Sequence, residues 1–272
     1  MKIVCVGDCG VDHYLPEGLL VCGGITSNYA RQTRRIAPAD DRIAVISAVG
    51  DDEYAARLAR SAIEVAGIDA DVVSMAGRTP VQFIEIEADG ERHFVRYDEG
   101  VLRDFRVDER GRQQIATADW LVTPVFRQIH ALFDSVMAAP PPAMTAVDFA
   151  DFAEHPDFEH LEKYLARIDL AFFGLTVDHV DEIRTIRQLA AAHDKLLIVT
   201  LGAAGCRAFH GDVEYRRAAI PVARVLDTTG AGDAFAAAFL SRFAHGASVR
   251  ESLDSGAALA AGAVQQQGAV PQ

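Results

Sequence analysis

Residues 227–240 read DTTGAGDAFAAAFL. Two glycines bracket an alanine, an aspartate follows, and an almost unbroken apolar segment runs on to Leu240. Such a turn ends one segment and starts a helix, because glycine reaches backbone angles that other residues avoid. The first turn of a helix presents N–H groups without intrahelical acceptors, at the positive end of the aligned peptide dipoles. Here these are the amides of Ala231, Gly232 and Asp233, and together they offer a place to hold an anion. Asp233 then has two readings. It is a first-turn acid that caps the helix, or a carboxylate that takes the proton of a hydroxyl attacking a bound phosphoryl group. Phosphoryl transfer needs the alcohol held in line and relieved of its proton as the bond forms, and a carboxylate suffices for that late transfer. Neither the P-loop pattern nor the glycine loop of protein kinases occurs in the chain.

Outward from this turn, apolar runs and helical periodicity alternate. Strand-like runs occupy 2–7, 42–50, 81–87, 92–97, 119–125, 144–149, 169–174 and 195–202. Helical periodicity occupies 28–36, 53–65, 129–137, 158–168, 178–193, 231–244 and 249–266. Several strand-like runs are continuously apolar, which suits parallel strands covered on both faces. The expected class is α/β: a doubly wound, mostly parallel central sheet flanked by helices. Residues 81–97 depart from this rhythm. They read as two alternating strands joined by ADGE (88–91), with Asp89-Gly90 as a hairpin signal, and so as a small lid over a cleft. The proline run AAPPPA (138–143) is a stiff connection rather than a boundary, which makes 1–272 one domain carrying that lid.

Half of the 272 residues are hydrophobic, enough for a large core, and the formal net charge is −13. That charge gives no basic footprint for nucleic acid or an anionic membrane, so a small-molecule partner is expected. The start MKIVCVGD turns polar after six residues, too few for a signal peptide or a spanning helix, and a cytoplasmic location follows. Cys5, Cys9, Cys22 and Cys206 lack CxxC spacing and are expected as reduced thiols. The nine histidines show no zinc-binding spacing, and each reads as a surface or core residue. The run RQTRR (31–35) reads as a solvated helix face, or as help for an acidic substrate.

The stretch DTTGAGDAF resembles the signature of the ribokinase-like (PfkB) sugar kinase family and stands near the C-terminus, as it does there. The resemblance implies Asp233 as catalytic base, Gly230, Ala231 and Gly232 as the anion hole, and Asp227 and Thr228 beside the phosphates. VGDCGVDHY resembles the family's first strand and turn, whose aspartate binds sugar hydroxyls. Asp12 matches that aspartate and Asp8 is a second candidate, either being alternatively a turn residue. CGGITSNYA resembles the family's first signature, which puts Gly23, Gly24 and Asn28 against the sugar. TLGAAG matches the nucleotide loop, with Thr200, Gly202 and Gly205, and the last helices contribute Ala258 and Gly268 to the adenine pocket, beside Ala257, Ala261 and Gln265.

From the lid, Phe83 would stack on the substrate and Arg96 would pair with a charged one, or both would serve lid packing. The family's NxxE magnesium motif is replaced here by LTVD. Leu175 cannot act for the asparagine, and Asp178 would help through water or open the helix 178–193. The implied cofactors are ATP and Mg2+, held mostly by phosphates and water, with a monovalent cation left open. RYDEGVLRDF (96–105) resembles the fructoselysine 6-kinase branch, implying a sugar or sugar-amine substrate phosphorylated at its 6-hydroxyl. The alternatives are a ketohexose, ribose or nucleoside kinase of the same fold, or a regulatory protein that binds sugar or nucleotide with weak turnover. The resemblance also implies a homodimer formed through the lid.

Overall fold

The computed structural model describes residues 1–15, 17–86 and 92–270. In chain order the strands are β1 (Lys2–Val6), β2 (Gly10–Tyr14), β3 (Leu19–Gly23), β4 (Arg42–Val49), β5 (Asp69–Ser74), β6 (Val81–Ile86), β7 (Arg92–Asp98), β8 (Trp120–Val125), β9 (Met144–Phe149), β10 (Leu170–Gly174), β11 (Leu196–Thr200), β12 (Cys206–His210) and β13 (Val213–Arg217). The helices are α1 (Ile25–Ile36), α2 (Glu53–Val65), α3 (Glu109–Ala116), α4 (His130–Met137), α5 (Phe158–Tyr164), α6 (Val180–His193), α7 (Ala231–Ala244) and α8 (Val249–Ala263).

Among the described residues, nine strands form one sheet in the order β13-β12-β11-β10-β9-β8-β1-β4-β5. From β5 to β11 the neighbours run parallel, and β12 and β13 fold back antiparallel at one edge. The continuously apolar runs have the burial their sequence requires. One face is covered by Tyr29, Ala59, Ile63, Phe235, Phe239 and Leu253, which come from α1, α2, α7 and α8. The other is covered from α3 to α6, by Ile115, Phe133, Val136, Leu161, Ile183 and Ile186. This is the doubly wound, mostly parallel α/β arrangement that the alternation of elements predicts. The chain leaves β1 to β4 on one side and meets β8 on the other, and open sheets bind ligands outside the carboxyl ends of strands at such a reversal.

A second sheet stands apart from the first, in the order β3-β2-β6-β7. The expected two-stranded hairpin is therefore half of a four-stranded sheet, because β2 and β3 pair antiparallel and β2 joins β6 in parallel register. Each added strand is five residues long: β3 pairs locally with β2 across a short turn, and β2 alone is joined to a distant segment, β6. The connection 88–91 with Asp89 and Gly90 lies outside the described residues. Two helix starts also differ from the periodicity. α1 begins at Ile25, three residues before the apolar repeat, and α6 begins at Val180 with His179 as N-cap, so Asp178 precedes the helix and does not cap it.

Candidate active site

The glycine turn and α7 come first. Gly230 is the N-cap, at φ 73° in the left-handed region, and a Cβ there would collide with Ala269. Both conditions require glycine. The Ala231 N–H donates to the Thr228 carbonyl at 3.2 Å, which closes the turn. Next to it, the Gly232 N–H meets no acceptor among the described residues, and no atom beyond its own turn and helix backbone lies within 4 Å of where its Cβ would be. An open, exposed backbone amide at the start of a buried helix fits a phosphate oxygen. It is followed by Asp233, 8% exposed, set in the wall of the crevice.

Asn28 Nδ2 donates to Asp233 Oδ2 at 3.0 Å. A carboxylate oxygen accepts, so the amide nitrogen faces it, and this leaves Asn28 Oδ1 buried and without a partner among the described residues. A substrate hydroxyl that donates would satisfy it. What holds Asn28 there is α1, and what holds α1 is Asp8. The two Asp8 carboxylate oxygens accept the N–H groups of Ile25 at 2.9 Å and Thr26 at 3.1 Å. Burial raises the Asp8 pKa, and these two bonds oppose the rise. Gly24, at φ 97°, lets the helix start this close, since a Cβ would lie 2.8 Å from the Asp8 carbonyl oxygen. Asp8 thus directs both oxygens at α1, where the sequence offered it as a sugar ligand.

Asp12 is buried in β2. Its carboxylate occupies the space that a Cβ at Gly23 would take, which is why the last residue of β3 is glycine. In register, Asp12 pairs with Gln82 and Gln82 with Tyr97, so these three share one face of the four-stranded sheet. His13, Phe83 and Arg96 form the adjacent row. The His13 and Phe83 rings are 5.4 Å apart, and the Arg96 guanidinium lies 4.1 Å above Phe83. Alternation along a strand puts that row on the face opposite Asp12. Phe83 and Arg96 are accordingly not brought to the Asp12 side, and the correction follows from strand period alone. Sequence reasoning passed over Tyr97, whose buried hydroxyl has no partner among the described residues. Burial pushes its phenol well up, with Asp8, Glu99 and Asp12 adding to the shift, so it stays a donor. The signal was available, as the first residue of the quoted YDEGV.

Asp227 ties three parts together. It accepts from the Tyr14 hydroxyl of the lid, from the Thr229 N–H of the glycine turn and from the Gly268 N–H of the C-terminal segment, each at 2.8 Å. Burial pushes the Tyr14 phenol up, which keeps it neutral and donating. Gln32 Nε2 adds a bond to the Ala269 carbonyl at 2.9 Å. The carboxylate of Asp227 thus shapes the glycine turn from behind, with the partly exposed Thr228 beside it.

At the far side, Thr200 ends β11, and its hydroxyl lies 3.4 Å from the Phe173 carbonyl oxygen. Gly202 at φ 54° and Gly205 at φ 93° turn the chain into β12, and a Cβ at Gly205 would collide with the Arg217 carbonyl. Gly202 has open space before it. On α8, Ala258 is exposed while Ala257 is buried. Leu175 is buried, and Asp178 is exposed in the turn before α6, its carboxylate making no hydrogen bond or ion pair with described residues. Asp148, which the sequence did not single out, closes β9 and lines a small cavity with Thr26, Tyr29 and Pro124. Burial and the charge of Asp8 raise its pKa to about 7. All four cysteines are free and buried, and among the described residues no helix is long and apolar enough to cross a membrane.

Residues 2–272 match the model of the pfkB family carbohydrate kinases. The fructoselysine 6-kinase of Escherichia coli (strain K12) is 31% identical over 267 residues, covering 97% of each chain. The fructosamine kinase FrlD of Bacillus subtilis (strain 168) is 27% identical over 248 residues, 89% of this chain and 84% of that one. The solved Arabidopsis thaliana ribokinase, complexed with ribose and ATP, superposes with a TM-score of 0.79 at 23% identity, over 98% of this chain and 94% of that one. With a glycine cradle, a walled carboxylate and a family model that spans the fold, the chain belongs to the pfkB family of carbohydrate kinases and catalyses ATP-dependent phosphorylation of a carbohydrate.

Proposed function

We propose that the substrate is a fructosamine of the fructoselysine type, phosphorylated at its 6-hydroxyl. The observation that carries the chemistry is the Asn28–Asp233 pair beside the open Gly232 amide. Asp233 accepts the proton of the primary hydroxyl, Asn28 holds the carboxylate in position, and the Gly230–Gly232 turn receives the phosphoryl oxygens. ATP, when bound, would supply the γ-phosphoryl group, and Mg2+ would neutralise its charge. Thr200, Gly202, Gly205, Ala258 and Gly268 would border the nucleotide, and the exposed Asp178 is available to the hydration shell of the metal. The sugar would lie under Asp12, Gln82 and Tyr97, where Asp12 accepts from vicinal hydroxyls and the Tyr97 hydroxyl donates.

The choice of a fructosamine is supported by similarity to a fructoselysine 6-kinase along the whole chain and by Tyr97, which comes from the segment that resembles that branch. A coupled assay of ADP release tests it, with ATP, Mg2+ and a panel of fructoselysine, fructose, ribose and adenosine. Fructoselysine should give the highest kcat/KM. A preference for adenosine or ribose would overturn the substrate assignment, and sugar binding without any ADP release would support the regulatory alternative instead.

A further inference from the structure

Two histidines and an aspartate meet where α4 and α5 begin. His130 opens α4, Asp157 precedes α5, and His160 lies in the first turn of α5. Because β8 and β9 are parallel neighbours, the helices that follow them leave the same edge of the sheet side by side. This brings Asp157 Oδ2 to 3.0 Å from His130 Nε2 and 2.8 Å from His160 Nδ1. One ligand-type atom from each residue lies within 4.8 Å of the other two. In a tetrahedral site with metal–ligand bonds of about 2.0–2.1 Å, donor atoms stand roughly 3.3 Å apart. The donor atoms are at that spacing, and the two imidazole rings, 4.0 Å apart and tilted by 36°, turn about their χ angles to aim both lone pairs at one ion.

The surroundings hold these groups in place. The other Asp157 oxygen accepts the His160 backbone N–H at 3.0 Å and so fixes the carboxylate plane. Behind His160, its Nε2 faces Asp134 Oδ1 at 3.7 Å, and that oxygen is held by the Tyr164 hydroxyl at 2.6 Å and Lys163 Nζ at 3.1 Å. A carboxylate behind an imidazole is the usual outer support of a metal-ligating histidine, setting its tautomer and orientation. The side chains are mostly sheltered, with His130 the most accessible at 31%. None of them takes part in the Asp233 site.

We infer that His130, Asp157 and His160 bind a divalent transition ion such as Zn2+, through two imidazole nitrogens and one carboxylate oxygen, with the remaining position open to water. Two imidazoles favour a borderline ion over Mg2+ or Ca2+, which prefer sets of oxygens. The ion would clip α4 to α5 on the edge of the sheet that carries the phosphoryl-transfer crevice.

The test uses the full chain, free of any tag and stripped with a chelator, then titrated with ZnCl2 against a chromophoric competitor in millimolar Mg2+. One zinc per chain is expected, with a rise in Tm on loading. His130→Gln and His160→Gln should each weaken uptake at least about tenfold. Circular dichroism of the zinc-free variants checks that they fold, and turnover with Mg-ATP should match the parent chain. No stoichiometric uptake, uptake undiminished in both variants, or displacement by the Mg2+ present would each overturn the assignment.

Discussion

Asn28 and Asp233 are 205 positions apart in sequence and 3.0 Å apart in space, and the catalytic reading rests on that contact. Asn28→Ala should lower kcat roughly 10–100-fold with a smaller change in KM, because it releases the carboxylate without removing it. Steady-state kinetics check this. At Asp148 the expectation concerns pH. Its folded pKa of about 7 lies above the ordinary aspartate range, so between those values the native chain keeps a proton that the unfolded chain has lost. Stability from this group therefore falls as pH rises through that window, and the full penalty stands above it. Asp148→Asn should raise Tm by roughly 3 °C at pH 8 and by progressively less toward pH 4, a trend that thermal melts along a pH series would follow. That Asn28 and Asp233 meet was legible because each stands inside a contiguous motif. Phe83 and Arg96 were not, since which face of a strand a residue takes depends on pairing register, and register is absent from a local pattern. His130 and His160 escaped for a related reason: thirty residues separate them, and the parallel β8–β9 pair alone brings them together.

Among the elements, the glycine turn and α7 are the most constrained. Gly230→Ala would force an alanine into the left-handed region and against Ala269. A loss of about 2–4 kcal/mol is expected, read as a lower midpoint in urea, together with reduced turnover. The parallel strands β1, β4 and β8 to β11 were legible because burial on both faces writes itself as a continuous apolar run. β12 and β13 were not, since at the sheet edge CRAFH and VEYRR mix arginine with apolar residues. α1 was cut short because its cap, Asp8, lies seventeen residues upstream, beyond any local capping signal.

On the scale of the molecule, Asp227 joins the four-stranded sheet, the glycine turn and the C-terminal segment, so Asp227→Ala should loosen all three at once. A cost of about 3–5 kcal/mol is expected, with hydrogen exchange rising in β2, at Thr229 and at Gly268 together. The lid also presents Phe94 at 49% and Val95 at 45% exposure on its edge strand β7. A homodimer through that edge is expected, and light scattering that finds a monomer independent of concentration would remove it. The most direct measurement is ADP release by Asp233→Asn beside the parent chain, with fructoselysine binding followed by thermal shift in both. With Asp233 as the base, kcat falls roughly 10²–10⁴-fold and binding is retained. Turnover close to that of the parent chain would contradict it.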